Sequence, residues 1–256
     1  MLIASAVIGA LLGGGLGGAR SATLRQPAVT VLGAGSELAL LVTDGEARVL
    51  VVGGGDAAEF GNALGAAVPS PALRVDVLVL AAGEPGVALA VAARRAKDVR
   101  RILSARPMTA AANDALGGVT VFAGSRRIAL PGGTSVTVET AATDAASDEQ
   151  VAWRAVIRRA GTTVVAVSRG TDATAFPPVA GAGAVIVCSG ALGDAPEAVR
   201  SGAIVAPAGA FRRLDEGAAG DAAWAVRVFP GEVARLRFVD GGLRLPPESR
   251  RVEPTA

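Results

Sequence analysis

The side chains able to do chemistry in this chain are carboxylates, arginines, hydroxyls and one thiol; none of its 256 residues is histidine. Histidine is the commonest metal ligand and the usual general base near neutral pH. Its absence excludes Ser-His-Asp and Cys-His catalysis and every histidine-based zinc site. The single Cys188 closes the apolar run 184–187, where a thiol is expected to pack as a small hydrophobe. Alone, it supports neither an intramolecular disulfide nor a cysteine-rich metal site. Acids at the ends of apolar runs remain: Asp56, Glu59, Glu84 and Asp172 could together make an oxygen-ligand site for a divalent ion. Carboxylates at such loop ends are more often simply solvated.

Two glycine clusters invite phosphate chemistry. Gly33-Ala34-Gly35 comes after an apolar run, but Leu38 stands where a dinucleotide fingerprint needs its third glycine, and the residues from there to Thr43 read as strand rather than helix. Gly53-Gly54-Gly55 could turn backbone N–H groups toward an anion, and Asp56 competes for that place as the cap of the next helix. The remaining candidate is a basic run: Arg94, Arg95, Lys97, Arg100, Arg101 and Arg106 are opposed only by Asp98 within thirteen residues. The run is expected either to contact phosphates or anionic lipid, or to be a solvated helix face with cations near its carboxyl end.

Composition limits the partners. With 25 basic and 23 acidic residues the formal charge is +2, so the surface is not polycationic and does not demand nucleic acid. Aromatic residues make up 3% and tyrosine is absent, leaving few platforms for stacked bases. Arginine dominates over the single lysine, the bias of a GC-rich genome, which does not by itself deplete histidine.

These side chains must be positioned by one large domain. Residues 1–21 form a separate element: 2–19 carry no charge and are apolar, small and glycine-rich before Arg20. The run reads as an uncleaved membrane anchor in preference to a cleaved signal sequence, since it lacks a basic leading region. The expected location is a bacterial membrane with the globular part on the extracytoplasmic side, although Arg20 and Arg25 pull the other way by the positive-inside rule. Residues 22–245 make the domain, and 246–256 read as a disordered tail. Within the domain, runs 28–32, 38–43 and 48–52 predict a three-strand meander with an Asp44-Gly45 turn. A helix over 56–67 is capped by Asp56. Further strands are expected at 75–80, 101–103, 119–122, 127–130, 135–140, 151–158, 163–167, 184–188, 203–206, 224–229 and 233–239, with helices at 85–96 and 108–116. The 151–158 alternation of apolar residues against Arg154 and Arg158 predicts a half-exposed strand. The order implies two mixed sheets packed face to face with helices outside.

That order resembles the metallo-β-lactamase-like domain ending the competence DNA-uptake channel proteins of bacteria, the ComEC type, over about residues 28–245. VTVLGAGSELALLVTDGEARVLVVGGG has the spacing of the family's opening strand, DVGQGD-like turn and acidic DGG, with Gly33 and Gly53 where aspartates would stand and Glu37 near the second. LVLAAGEPGVALAV aligns with the T-H-x-H-x-D-H segment, placing Ala82, Glu84 and Val87 at histidine positions and Gly86 at the aspartate. VVAVSRGTDATAF puts Gly170 near a metal-bridging aspartate, and AVIVCSGALG puts Ser189 and Gly190 at a histidine pair. The resemblance therefore implies an αββα sandwich, an α+β fold whose metal cleft is vestigial. The expected protein is a membrane-anchored or exported pseudoenzyme with no metal or cofactor and a binding or scaffolding role, with a competence channel protein as a possible partner. Two other readings stay open: a hydrolase using Glu84 and Asp172, and a DNA-binding accessory of uptake acting through the basic run.

Overall fold

The computed structural model describes residues 25–68, 74–141, 152–168, 176, 179, 181–188, 202–209, 224–240, 242–247 and 250–251. The anchor expected at 1–21 lies outside them, and among the described residues no helix is long and apolar enough to cross a membrane.

The amino-terminal half begins as local hairpins. β1 (Ala28–Ala34), β2 (Glu37–Asp44) and β3 (Ala47–Val52) are almost wholly buried runs of Val, Leu and Ala, joined by turns in which Gly35 and Gly45 take positive φ. The chain then alternates. α1 (Ala57–Ala67), β4 (Val77–Leu80), a short 3₁₀ turn at Glu84–Gly86, α2 (Val87–Ala96), β5 (Ile102–Ser104), α3 (Ala110–Ala115) and β6 (Thr120–Val121) come next, with β3 to β6 paired in parallel. The second half gives β7 (Ser125–Ala129), β8 (Ser135–Thr140), β9 (Trp153–Arg159), β10 (Thr162–Val167), β11 (Ala182–Val187), β12 (Ala203–Pro207), β13 (Trp224–Val228), β14 (Val233–Val239), β15 (Gly242–Arg244) and β16 (Arg250–Arg251).

These strands form two eight-stranded mixed sheets, ordered β15-β14-β1-β2-β3-β4-β5-β6 and β16-β13-β12-β11-β10-β9-β8-β7. Alternation along each strand separates two cores. Val29, Val31, Leu38, Val49 and Val51 meet Val136, Trp153, Ile157, Val164 and Ile186 between the sheets. Leu32, Leu41, Leu50, Leu78 and Ile102 face outward and are covered by Phe60 and Leu64 of α1 and Leu89 and Ala93 of α2. On its other face the second sheet buries Val165, Val185, Val187 and Ile204.

Two expectations need correction. β9 is not half-exposed: Arg154 is 7% exposed because its Nε donates to Glu139 Oε2 at 2.9 Å and its guanidinium lies 4.8 Å over the Phe176 ring. Pairing the charge and covering it with an aromatic face makes its burial tolerable. Arg158 does remain exposed. The stretch 246–256 is not wholly without structure either, since Arg250–Arg251 pair antiparallel with Trp224 and Ala225, satisfying backbone groups on the edge of β13.

Candidate functional site

The cleft lies at the end where β3 and β4 finish, a place built by turns that hold one another through backbone hydrogen bonds. Gly33 N–H donates to Glu232 carbonyl at 2.9 Å, and Gly231 N–H returns a bond to Gly33 carbonyl at 3.2 Å. Leu38 N–H donates to Cys188 carbonyl at 2.8 Å, bringing the end of β11 to the start of β2, and Asp56 N–H reaches Ala34 carbonyl at 3.0 Å. Asp56 caps α1 as its position suggested, accepting from Ala58 and Glu59 N–H at 2.9 and 2.8 Å. Its carboxylate thus takes the helix-start donors that an anion would have used. The Gly33-Ala34-Gly35 turn joins two strands rather than opening a helix, which removes the dinucleotide reading.

At the positions where the resemblance would put metal-binding acids, space is filled rather than vacated. A Cβ on Gly33 would lie 2.1 Å from the Phe229 carbonyl oxygen. A Cβ on Gly53 would lie 3.0 Å from Trp153 Cζ2 and Nε1, so the buried indole packs directly on that glycine. A Cβ on Gly86 would approach Leu80 Cδ2 at 3.0 Å and Gly53 carbonyl oxygen at 3.3 Å, which puts Gly53 and Gly86 side by side. The other candidates diverge. Ala82 packs on the cluster between the sheets, whereas Val87 packs on the cluster beneath the helices. Glu84 is exposed and accepts from Thr109 N–H at 2.6 Å; bonds from the Thr109 side chain and backbone hold its carboxyl below the ordinary glutamate range. Gly170, Asp172, Ser189 and Gly190 lie outside the described residues.

This donor set does not fit a two-metal centre. Of Gly33, Glu37, Gly53, Ala82, Glu84, Gly86 and Val87, only the two glutamates carry ligand atoms. Glu84 is committed to Thr109, and Glu37 sits against Gly54, whose Cβ would be 3.0 Å from Glu37 Oε2. Among the described residues no three His, Cys, Asp or Glu side chains converge on a point where they could hold a metal ion. Cys188 is 1% exposed, and burial, then the nearby Glu37 charge, pushes its thiol pKa well up, so it is no nucleophile.

The basic run is divided by the fold. Lys97 is buried, contrary to its expected place on a cationic face, and donates to the Val68 carbonyl oxygen; burial, then the Arg48 charge, lowers its pKa. Arg106 comes just after β5 at the cleft end, where its Cβ would lie 3.3 Å from a Cβ on Gly83. Arg100 and Arg101 precede β5 at the other end, and Arg94 and Arg95 close α2, with Arg94 Nη1 3.2 Å from where a Gly117 Cβ would be. The six cations therefore do not make one patch.

The 151–158 alternation puts Trp153 among the apolar residues of its strand but gives no sign that it seals Gly53. Glu59, weighed with Asp56, Glu84 and Asp172 as an oxygen ligand, has its Oε2 2.7 Å from where a Gly231 Cβ would be, against the β13–β14 turn.

No protein-family model and no curated protein matches the chain. Solved structures do. The metallo-β-lactamase fold protein YhfI from Bacillus subtilis matches with a TM-score of 0.52 at 14% identity, covering 82% of this chain and 100% of that one. Zn(2+)-bound PqqB from Methylobacterium extorquens matches at 18% identity and a TM-score of 0.43; the match spans 61% of either chain. At such identities the likeness to YhfI shows the fold alone: two mixed sheets and their helices make a metallo-β-lactamase-like sandwich.

Proposed function

We propose that this chain is a non-hydrolytic form of the metallo-β-lactamase-like fold, a pseudoenzyme held at a bacterial membrane by residues 1–21 and acting by binding or scaffolding. The observation that carries this reading is the packing of the Trp153 indole on Gly53, seconded by the Phe229 carbonyl against Gly33. A cleft that had merely lost its ligands would leave room to restore them; this one has backbone and aromatic carbon where carboxylates would go. Two-metal hydrolysis requires several donors converging on closely spaced ions that activate water, and two glutamates with other neighbours do not supply them. The resemblance of strand and turn order to the ComEC-type terminal domain points to a competence channel protein as partner and to DNA uptake as the setting.

The test uses the full chain, purified without chelator and assayed for bound metal by elemental analysis and for cleavage of DNA and β-lactams. Less than stoichiometric metal and no turnover are expected. One or more tightly held transition metals per chain, with nuclease activity abolished by chelator and by Glu84→Ala, would overturn the reading in favour of a carboxylate-based hydrolase.

A further inference from the structure

The end of the sandwich opposite the cleft carries a group of arginines beside the acids Glu46, Asp76 and Asp240. A register row crosses the first sheet there: Arg244 of β15 lies opposite Arg237 of β14, Arg237 opposite Ala28 of β1, Ala28 opposite Thr43 of β2, and Thr43 opposite Arg48 of β3. Directly opposed residues share a face, so the row spans about 19 Å; Ala28, Thr43 and Arg48 in it are buried, Arg237 is half-buried and Arg244 exposed. Beyond Arg48, Asp76 is the carboxylate that meets two further arginines, Arg74 Nε at 3.0 Å and Arg100 Nη1 at 3.9 Å. The side chains of Arg74 and Arg100 remain 42% and 55% exposed, and Arg244 is exposed as well. Crowding registers in the titration behaviour: burial, then the Arg237 and Arg48 charges, lowers the Arg235 pKa.

Apolar side chains stand at the same end. Trp224, at the start of β13, is 37% exposed, and Val239, at the end of β14, is 47% exposed. Trp224 shares a cavity of about 330 Å³ with Gly242, Leu243 and Leu245 of the β15 segment, which puts the indole at the β15 edge of this end. The chain also enters the domain here. Pro27 carbonyl accepts from Phe238 N–H at 3.0 Å, and the uncharged run 2–19 lies just upstream of β1.

We propose that this end is a docking face for an anionic lipid bilayer, with Arg237, Arg244, Arg74 and Arg100 on headgroup phosphates and Trp224 and Val239 in the interfacial layer. The inference deepens the membrane reading above and rests on it. Arginines flanked by an exposed indole and an apolar segment suit the boundary between headgroups and hydrocarbon. A nucleic acid would use the cations but has no use for Val239 or the uncharged run.

Flotation of the full chain is compared on phosphatidylcholine vesicles and on vesicles containing about a third phosphatidylglycerol. Binding should favour the anionic vesicles, fall as salt rises, and drop by roughly tenfold or more in Arg237→Glu/Arg244→Glu. Since that variant could be misfolded, Arg74→Ala/Arg100→Ala is tested beside it and should weaken binding with unchanged thermal melting. Trp224 emission should shift to the blue on anionic vesicles, and Trp224→Phe should abolish the shift. Equal binding to both vesicles, indifferent to salt and to both variants, overturns the docking face and leaves the anchor. No binding to either vesicle removes the membrane reading itself. Tighter binding to duplex DNA than to anionic vesicles, lost in the same variants, makes the surface a nucleic-acid interface and overturns the proposal.

Discussion

At the cleft end the sandwich closes by contact of glycine with carbon and backbone; at the opposite end it closes through long charged side chains that pair where buried and reach solvent where not. The first end has Gly33 against the Phe229 carbonyl and Gly53 against the Trp153 indole. The second has Asp44, its side chain 2% exposed, accepting from Arg159 Nη1 at 2.8 Å and from Thr134 N–H at 3.0 Å, so that it ties the β2–β3 turn of one sheet to the strand ends of the other. A Cβ on Gly132 would lie 2.1 Å from Asp44 Oδ1, which shows how closely the acid is enclosed. The difference teaches where change is tolerated. Sites sealed by van der Waals contact resist added atoms, whereas sites held by charge resist the loss of one partner.

The largest effect should come from breaking the first kind of closure. Trp153→Ala is expected to lower stability by about 3–5 kcal/mol, read from denaturant unfolding. Gly53→Ala alone should cost about 1–3 kcal/mol through the 3.0 Å approach to the indole, and much less when Trp153 is already alanine. Strict additivity in that cycle would show that the indole does not fill the cleft. At the other end, Arg159→Ala should cost about 3 kcal/mol because it leaves Asp44 buried without its cation; Arg159 is itself 24% exposed, which keeps the figure at the lower end for such pairs. A loss under about 0.5 kcal/mol would reduce the pair to an ordinary surface contact.

Smaller effects sharpen the contrast. Cys188, enclosed at the cleft end, should resist a thiol reagent at neutral pH in the native chain and react fully in denaturant, whereas rapid native labelling would mean the cleft is open. Glu84 gives the smallest signal. Its folded pKa is depressed by Thr109, so its contribution is present above the ordinary glutamate value of about 4.3 and disappears as pH falls through the folded value. Melting curves of Glu84→Gln should therefore lie slightly below those of the natural chain at neutral pH and converge with them in acid.

Local features were legible in the sequence. The 28–52 meander, with its Asp44-Gly45 turn and buried alternating residues, depends on neighbours a few positions away, and so does the Asp56 cap of α1. Longer reach defeated the reading. Nothing near Lys97 says that its ammonium will meet the carbonyl of Val68, and nothing near Arg154 says that Glu139 and Phe176 will cover it. The cleft was half legible: the glycines marked where side chains were missing, but Trp153 fills the gap from about a hundred positions away in the chain. The basic run looked like one patch because its members are adjacent in sequence, yet β5 carries the chain from one end of the sheet to the other between Arg101 and Arg106.

β1 has β2 on one side and β14 on the other, and the pairing of Ala28 with Arg237 joins strands roughly 200 residues apart. On a ribosome adding about 5–20 residues per second, β1 therefore waits on the order of 10–40 seconds for its second neighbour. During that time the meander exposes a row of unpaired backbone groups along a strand whose side chains are all destined for burial, a ready template for another nascent chain. Slowing translation anywhere between β3 and β14 should therefore increase aggregation without altering the finished fold.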